Sequence, residues 1–393
     1  MFDLVSRRFE LSRRRSGHDI RAMEGLRGLA VFLVFLVHYV TLVAPWIAPA
    51  SALHAFAGAL HQIGNTGVDL FFLLSGYLIY GSLITRQQPF LRFMSRRLER
   101  IFPAFLVVFA IYIGLSLAFP AHRKIPAALE PAMIYLIENL LLLPGLFPVE
   151  PLITVAWSLS YEMFYYLAIP LVIIMFDLRR RRAALRVGLF VTTAVALALF
   201  AAVYGGHVRL IMFISGILLF EAVTYGRPPA PGSAVGLFAL AAGLLCQLLP
   251  SGSSAGFTLK MVVLFFCFML LTWTCVSRPR GWLPRAFSYR PVRWLGNMSY
   301  SYYLVHGLAL KGAFMVMAAV LPAAPRPPLF FWVLMAVMFA LTLVPAAILF
   351  LTIERRFSFA RVPGGGTTTT PITLRPRTPW LTCDTPEIRV PRP

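Results

Sequence analysis

Apolar runs long enough to cross a bilayer recur along most of this chain. That restricts its architecture more than any other feature. A hydrocarbon core is about 30 Å thick, and a helix needs roughly 20 apolar residues to span it. Backbone polar groups at that depth must be satisfied within the protein, which a helix does by itself. Only 13% of residues are charged and 59% are hydrophobic, against about 25% charged in soluble domains. The runs fall at 25–47, 64–84, 101–120, 159–176, 183–204, 208–225, 233–250, 257–277, 297–320 and 329–351. A shorter stretch, 131–147, contains Glu138 and Pro144.

The net charge of +21 suggests a nucleic-acid partner, but its distribution argues against one. Arginines concentrate at 7–27, 86–100, 179–186, 278–293 and 355–361, in or beside short connections between apolar runs. Cytoplasmic loops carry that bias. All five clusters fall on one side if 131–147 is re-entrant or interfacial and the other ten runs cross. The prediction is an all-α polytopic membrane protein of about ten transmembrane helices, with both termini cytoplasmic. Residues 1–20 read as a basic N-terminal segment and 21–360 as the membrane domain. Residues 361–393, with Gly364-Gly-Gly, four threonines and repeated prolines, read as a disordered tail. Cys246, Cys267, Cys275 and Cys383 show neither metal-ligand spacing nor a disulfide framework. No metal site is expected.

Ionisable groups inside the runs are costly, roughly 2.5–3.5 kcal/mol near a helix centre on insertion scales. Arg27 and His38 share the first run. At 1.5 Å per residue they lie about 16 Å apart along the axis. On the same arithmetic His38 and Asp69 sit near one level, roughly 20–22 Å from the inner face, where a carboxylate would orient an imidazole base. His306 and Ser75 fall lower, near 13–14 Å. Arg97 and Arg100 are spaced to share a helix face at the cytoplasmic boundary. Guanidinium forks suit phosphate, although arginine there also serves as a positive-inside anchor. Glu162 lies within Trp157-Ser-Leu-Ser-Tyr-Glu, at the expected outer entrance of the fourth span. It reads either as a sugar-hydroxyl or catalytic-partner acid or as a structural one. Tyr303 and His306 lie in a serine- and tyrosine-rich start to the ninth run, which reads as a polar interior site. Gly64, Gly67 and Gly76 read as positions of close helix approach.

Five segments together resemble the acyltransferase-3 family of integral membrane acyltransferases. They are Arg27 with His38; Gly67-Val-Asp-Leu-Phe-Phe-Leu-Leu-Ser-Gly76; Arg97 and Arg100 before Pro103; Trp157 to Glu162; and Ser299-Tyr-Ser-Tyr-Tyr-Leu-Val-His306. One departure is Glu24, where the family commonly has Asp. The resemblance spans about residues 19–357. It implies transfer of an acyl group, commonly acetyl, from cytoplasmic acyl-CoA to a hydroxyl on a lipid-linked or exported glycan, in a bacterial inner membrane and without a permanently bound cofactor. On that footing Arg97 and Arg100 hold the CoA phosphates and Arg27 contacts the donor or a structural acid. Ser75, Tyr303 and His306 line its path. His38 acts as general base or is itself acylated, Asp69 orients it, and the acceptor arrives near Glu162. The competing reading is a proton-coupled transporter or flippase in which the buried His and Asp relay protons. The chain carries no repeated half of the kind common in transporters.

Overall fold

Helix α1, Arg21–Val43, opens the bundle in the computed structural model, which describes residues 8–10, 21–226 and 228–359. It is followed by α2 Ala52–Gly64 and α3 Thr66–Thr85, joined through Asn65 in helical conformation. Together they form one rod, Ala52–Thr85. Next come α4 Phe90–Ala118, α5 Leu129–Leu140, α6 Trp157–Met175, α7 Ala183–Tyr204 and α8 Ile211–Glu221. The chain closes with α9 Ser233–Cys246, α10 Ser254–Ser277, α11 Trp282–Phe287, α12 Arg290–Asn297, α13 Ser299–Val320 and α14 Pro328–Leu349. A π-helical turn, Phe350–Glu354, extends α14. No strand occurs among the described residues. The protein is a multi-pass integral membrane protein.

Nine helical segments among the described residues are long and apolar enough to span a bilayer. The run expected at 233–250 forms only the 14-residue α9, about 21 Å long. It stops at Gln247, whose side-chain amide turns back to Gly243 O at 3.3 Å. The stretch 131–147 forms the end of the 12-residue α5 and then turns, with Leu142 and Gly145 at positive φ. At about 18 Å, α5 is too short to cross. Residues 11–20 and 361–393, which hold most of the expected N-terminal segment and the whole tail, lie outside the described residues, as does Cys383. Cys246, Cys267 and Cys275 are free thiols.

The interior is apolar and aromatic, with Phe35, Tyr39, Phe213, Phe268 and Tyr302 fully buried. Helices α3 and α8 cross closely because each offers glycine at the contact. A Cβ on Gly76 would sit 2.1 Å from Phe213 O, and one on Gly216 would sit 2.0 Å from Leu73 O. Gly64 and Gly67 likewise press against α1, at Leu33 O and Ala30 O. Where these helices end, α7 and α8 are clamped by a buried bidentate pair. Arg186 donates to Glu221 at 2.7 and 2.8 Å, and Tyr80 donates to the same carboxylate.

Candidate active site

A cleft opens between α1, α3, α4, α6 and α13. Arg27, Arg97 and Arg100 all line it, with Ser75, Glu162 and Tyr303. The two arginines of α4 share a face, as a three-residue spacing requires. The Arg97 guanidinium lies over the rings of Phe93 and Tyr166, 5.2 and 5.3 Å from their centroids. Arg27 reaches the cleft from α1 and donates to Ser299 Oγ at 2.8 Å. Three cations from two helices thus converge on one space.

Two carboxylates moderate that charge. Glu162 accepts from Tyr166 OH at 2.5 Å and from Ser75 Oγ at 3.4 Å. It therefore belongs to the arginine cleft and not to a separate outer entrance. The reason is that α6 begins inside the bundle: Ser158 Oγ lies 2.7 Å from Tyr303 OH, and Tyr303 OH donates to Val155 O at 3.0 Å. Glu354, in the π-helical turn, accepts from Ser301 N and Oγ at 3.1 and 2.6 Å. Arg27 and Arg100 are its cationic neighbours. Three guanidinium groups against two carboxylates leave a net positive cleft, the balance an anionic ligand needs.

Beyond Tyr303 lies a histidine pair. His38 and His306 meet edge to face, with ring centroids 5.0 Å apart. His306 Nδ1 is 2.9 Å from both Tyr302 O and Tyr303 O. Carbonyl oxygens only accept, so the neutral ring carries its proton on Nδ1 and its lone pair on Nε2. That Nε2 is buried and has no hydrogen-bond partner among the described residues. Ser299, Tyr303 and His306 follow a four-then-three spacing along α13 and so share one helix face. This face runs from the arginine cleft to the histidine pair.

Asp69 is held elsewhere. Its Oδ2 accepts from Arg209 Nη1 at 2.8 Å, so Arg209, not His38, is its partner. Depth arithmetic puts residues on a level but leaves their azimuth open, and Asp69 faces α8. Sequence reasoning missed Arg209 and Glu354, and it placed Ser299 in a motif without giving it a role. A lone arginine inside the apolar run 208–225 was the available signal for the first. Among the described residues no group of three or more His, Cys, Asp or Glu side chains is placed to hold a metal ion.

The profile of an acyltransferase domain matches residues 20–350. The chain belongs to the acyltransferase-3 family. Within that acyltransferase family, it is 26% identical over 331 residues to the peptidoglycan O-acetyltransferase OatA of Listeria monocytogenes, an alignment covering 75% of this chain and 50% of that protein. It is 29% identical over 206 residues to the O-acetyltransferase OatA of Staphylococcus aureus, covering 49% of this chain and 31% of that protein. The chain thus spans half or less of the length of these curated acyltransferase-3 relatives. No solved structure matches it.

Proposed function

We propose that this acyltransferase-3 protein moves an acyl group, acetyl in the first instance, from cytoplasmic acyl-CoA to a hydroxyl of a cell-envelope or exported glycan, in a bacterial inner membrane. The observation that carries this reading is the convergence of Arg27, Arg97 and Arg100 on one cleft whose α13 wall leads to His38 and His306. Guanidinium groups bind phosphate oxygens bidentately, and acyl-CoA is a phosphate-rich donor with a long reactive arm. From Ser299 to His306 the α13 face runs about 10 Å. An arm following it passes Tyr303 and brings its thioester to the histidines. The two relatives named above are O-acetyltransferases, one of them of peptidoglycan.

A sugar hydroxyl attacks a thioester slowly unless a base takes its proton. In the direct route His38 accepts that proton as the hydroxyl oxygen bonds to the carbonyl carbon. The tetrahedral adduct then collapses, the C–S bond breaks, and the CoA thiolate recovers the proton from the imidazolium. The products are an ester and free CoA. The lone pair on His306 Nε2 suits holding an N–H of His38, the part a carboxylate plays beside many catalytic histidines. The stepwise alternative acylates His38 first and transfers the group second.

The test is made in cells and then with protein. A deletion strain is complemented with wild type or His38→Ala at equal protein level, and envelope glycans are compared by mass spectrometry. The expected result is an acetyl mass restored by wild type alone. Full restoration by His38→Ala removes His38 from the chemistry. Unchanged glycans in the deletion, with a solute accumulating inside the cell, overturn the reading in favour of transport.

A further inference from the structure

A second cavity, of about 560 Å³, opens beside the α2–α3 rod. Gln62, Asn65, Thr66 and Asp69 line it from one face of that rod, and Arg209 from the turn Val208–Leu210 before α8, Gln247 at the end of α9 and Lys260 of α10 line it opposite. The arginine cleft uses a later part of the same rod, around Ser75. The second cavity sits at the end where α2 meets α3 and α9 meets α10. The orientation read from the arginine-rich loops makes that the extracytoplasmic end.

Its chemistry differs from that of the cleft. The guanidinium charge is already paired: Arg209 Nη1 donates to Asp69 Oδ2 at 2.8 Å and to Asn65 O at 3.1 Å. Lys260 Nζ is turned onto Gln247 O at 2.9 Å. A phosphate entering here would meet the Asp69 carboxylate paired to that guanidinium. Asp69, by contrast, is fully buried, and its Oδ1 has no hydrogen-bond partner among the described residues. A buried carboxylate oxygen without a donor is costly, and it is an acceptor for a neutral O–H group. The side-chain amides of Gln62 and Asn65 both donate and accept, as sugar hydroxyls do.

We propose that this cavity is a binding site for a hydroxyl-rich ligand of the carbohydrate class, with Asp69 Oδ1 accepting from a sugar hydroxyl. The site rests on the glycan acceptor named under the proposed function and moves acceptor recognition from Glu162 to the Asp69–Arg209 end. Asn65 Nδ2 donates to His61 O at 3.0 Å, which leaves its Oδ1 as the acceptor.

The experiment measures binding, not turnover. Full-length protein in lipid nanodiscs is titrated with chitotetraose by isothermal calorimetry, without acetyl-CoA. Asp69→Asn removes the anionic acceptor, and Gln62→Trp fills the cavity from an exposed position that no fold contact needs. The expected result is saturable binding to wild type, weakened about tenfold or more by each variant, the scale of a lost hydrogen bond to a charged group. Binding that is absent in wild type, or equal in wild type and Gln62→Trp, overturns the site. Acetyl-CoA turnover on the same samples reports separately on the transferase reading. Binding without turnover leaves the site standing and removes the reaction; turnover without binding does the reverse.

Discussion

His38 and His306 lie on different helices, 268 residues apart in sequence, yet their rings meet edge to face at 5.0 Å. His306 is the fixed member, tied by Nδ1 to two carbonyl oxygens of its own helix. His38 is the member free to act. His38→Ala is expected to lower kcat for acetyl transfer by about 100-fold or more, the scale of a lost general base. His306→Ala is expected to lower kcat as well while leaving KM for acetyl-CoA unchanged. Steady-state assays of thiol release check both. A raised KM with kcat intact would place His306 in donor binding instead.

The arginine cleft predicts the opposite kinetic signature. Arg97→Ala and Arg100→Ala each remove one charge-assisted partner, worth about 1.5–3 kcal/mol, so KM for acetyl-CoA is expected to rise roughly 10- to 100-fold. Lysine at either position is expected to recover only part of the loss, because it offers a point charge and no fork. Acetyl-CoA titrations of the four variants measure this. Wild-type KM in both alanine variants would show that these arginines serve only as anchors.

The Arg186–Glu221 pair is a stability element that does not line the cleft. Both side chains are almost wholly buried, at 6% and 0% exposure. Glu221→Ala strands a buried guanidinium and is expected to cost about 3–5 kcal/mol. Thermal unfolding in detergent, followed by intrinsic fluorescence, reads the loss. The folded fraction is expected to retain wild-type KM for acetyl-CoA. An unchanged unfolding midpoint would show that the pair contributes nothing net.

The α3–α8 crossing tolerates no side chain at its centre. Gly216→Ala places a Cβ against Leu73 O and Tyr77 N, and forcing the helices apart is expected to cost about 1–3 kcal/mol. Gly58→Ala, whose Cβ would meet nothing within 4 Å, is the matched control. Unfolding midpoints of the two variants are expected to differ clearly. Equal midpoints would mean that the helices separate without cost.

The helices were readable because each spanning segment must be apolar over its own length, a local property. The phosphate-suited pair was readable for the same reason, since Arg97 and Arg100 share one helix face. Contacts between helices were not. Arg27 finds Ser299 across 272 residues, and nothing local to either residue encodes that meeting. Depth alone paired His38 with Asp69, whereas helix rotation gave Asp69 to Arg209 and left His38 to His306. Glu162 was misplaced because α6 starts within the bundle, a fact that depends on how the loop after α5 folds inward.

The α2–α3 rod carries Gln62 at one cavity and Ser75 at the other. Two helices joined through Asn65 in helical conformation make it a ruler: the two residues stand roughly 20 Å apart along its axis. It also sets an angle. One residue inserted between them would turn one set of side chains by about 100° relative to the other. Substitutions along the rod leave that gauge intact, whereas a single insertion or deletion near Leu70 puts the two ends out of phase.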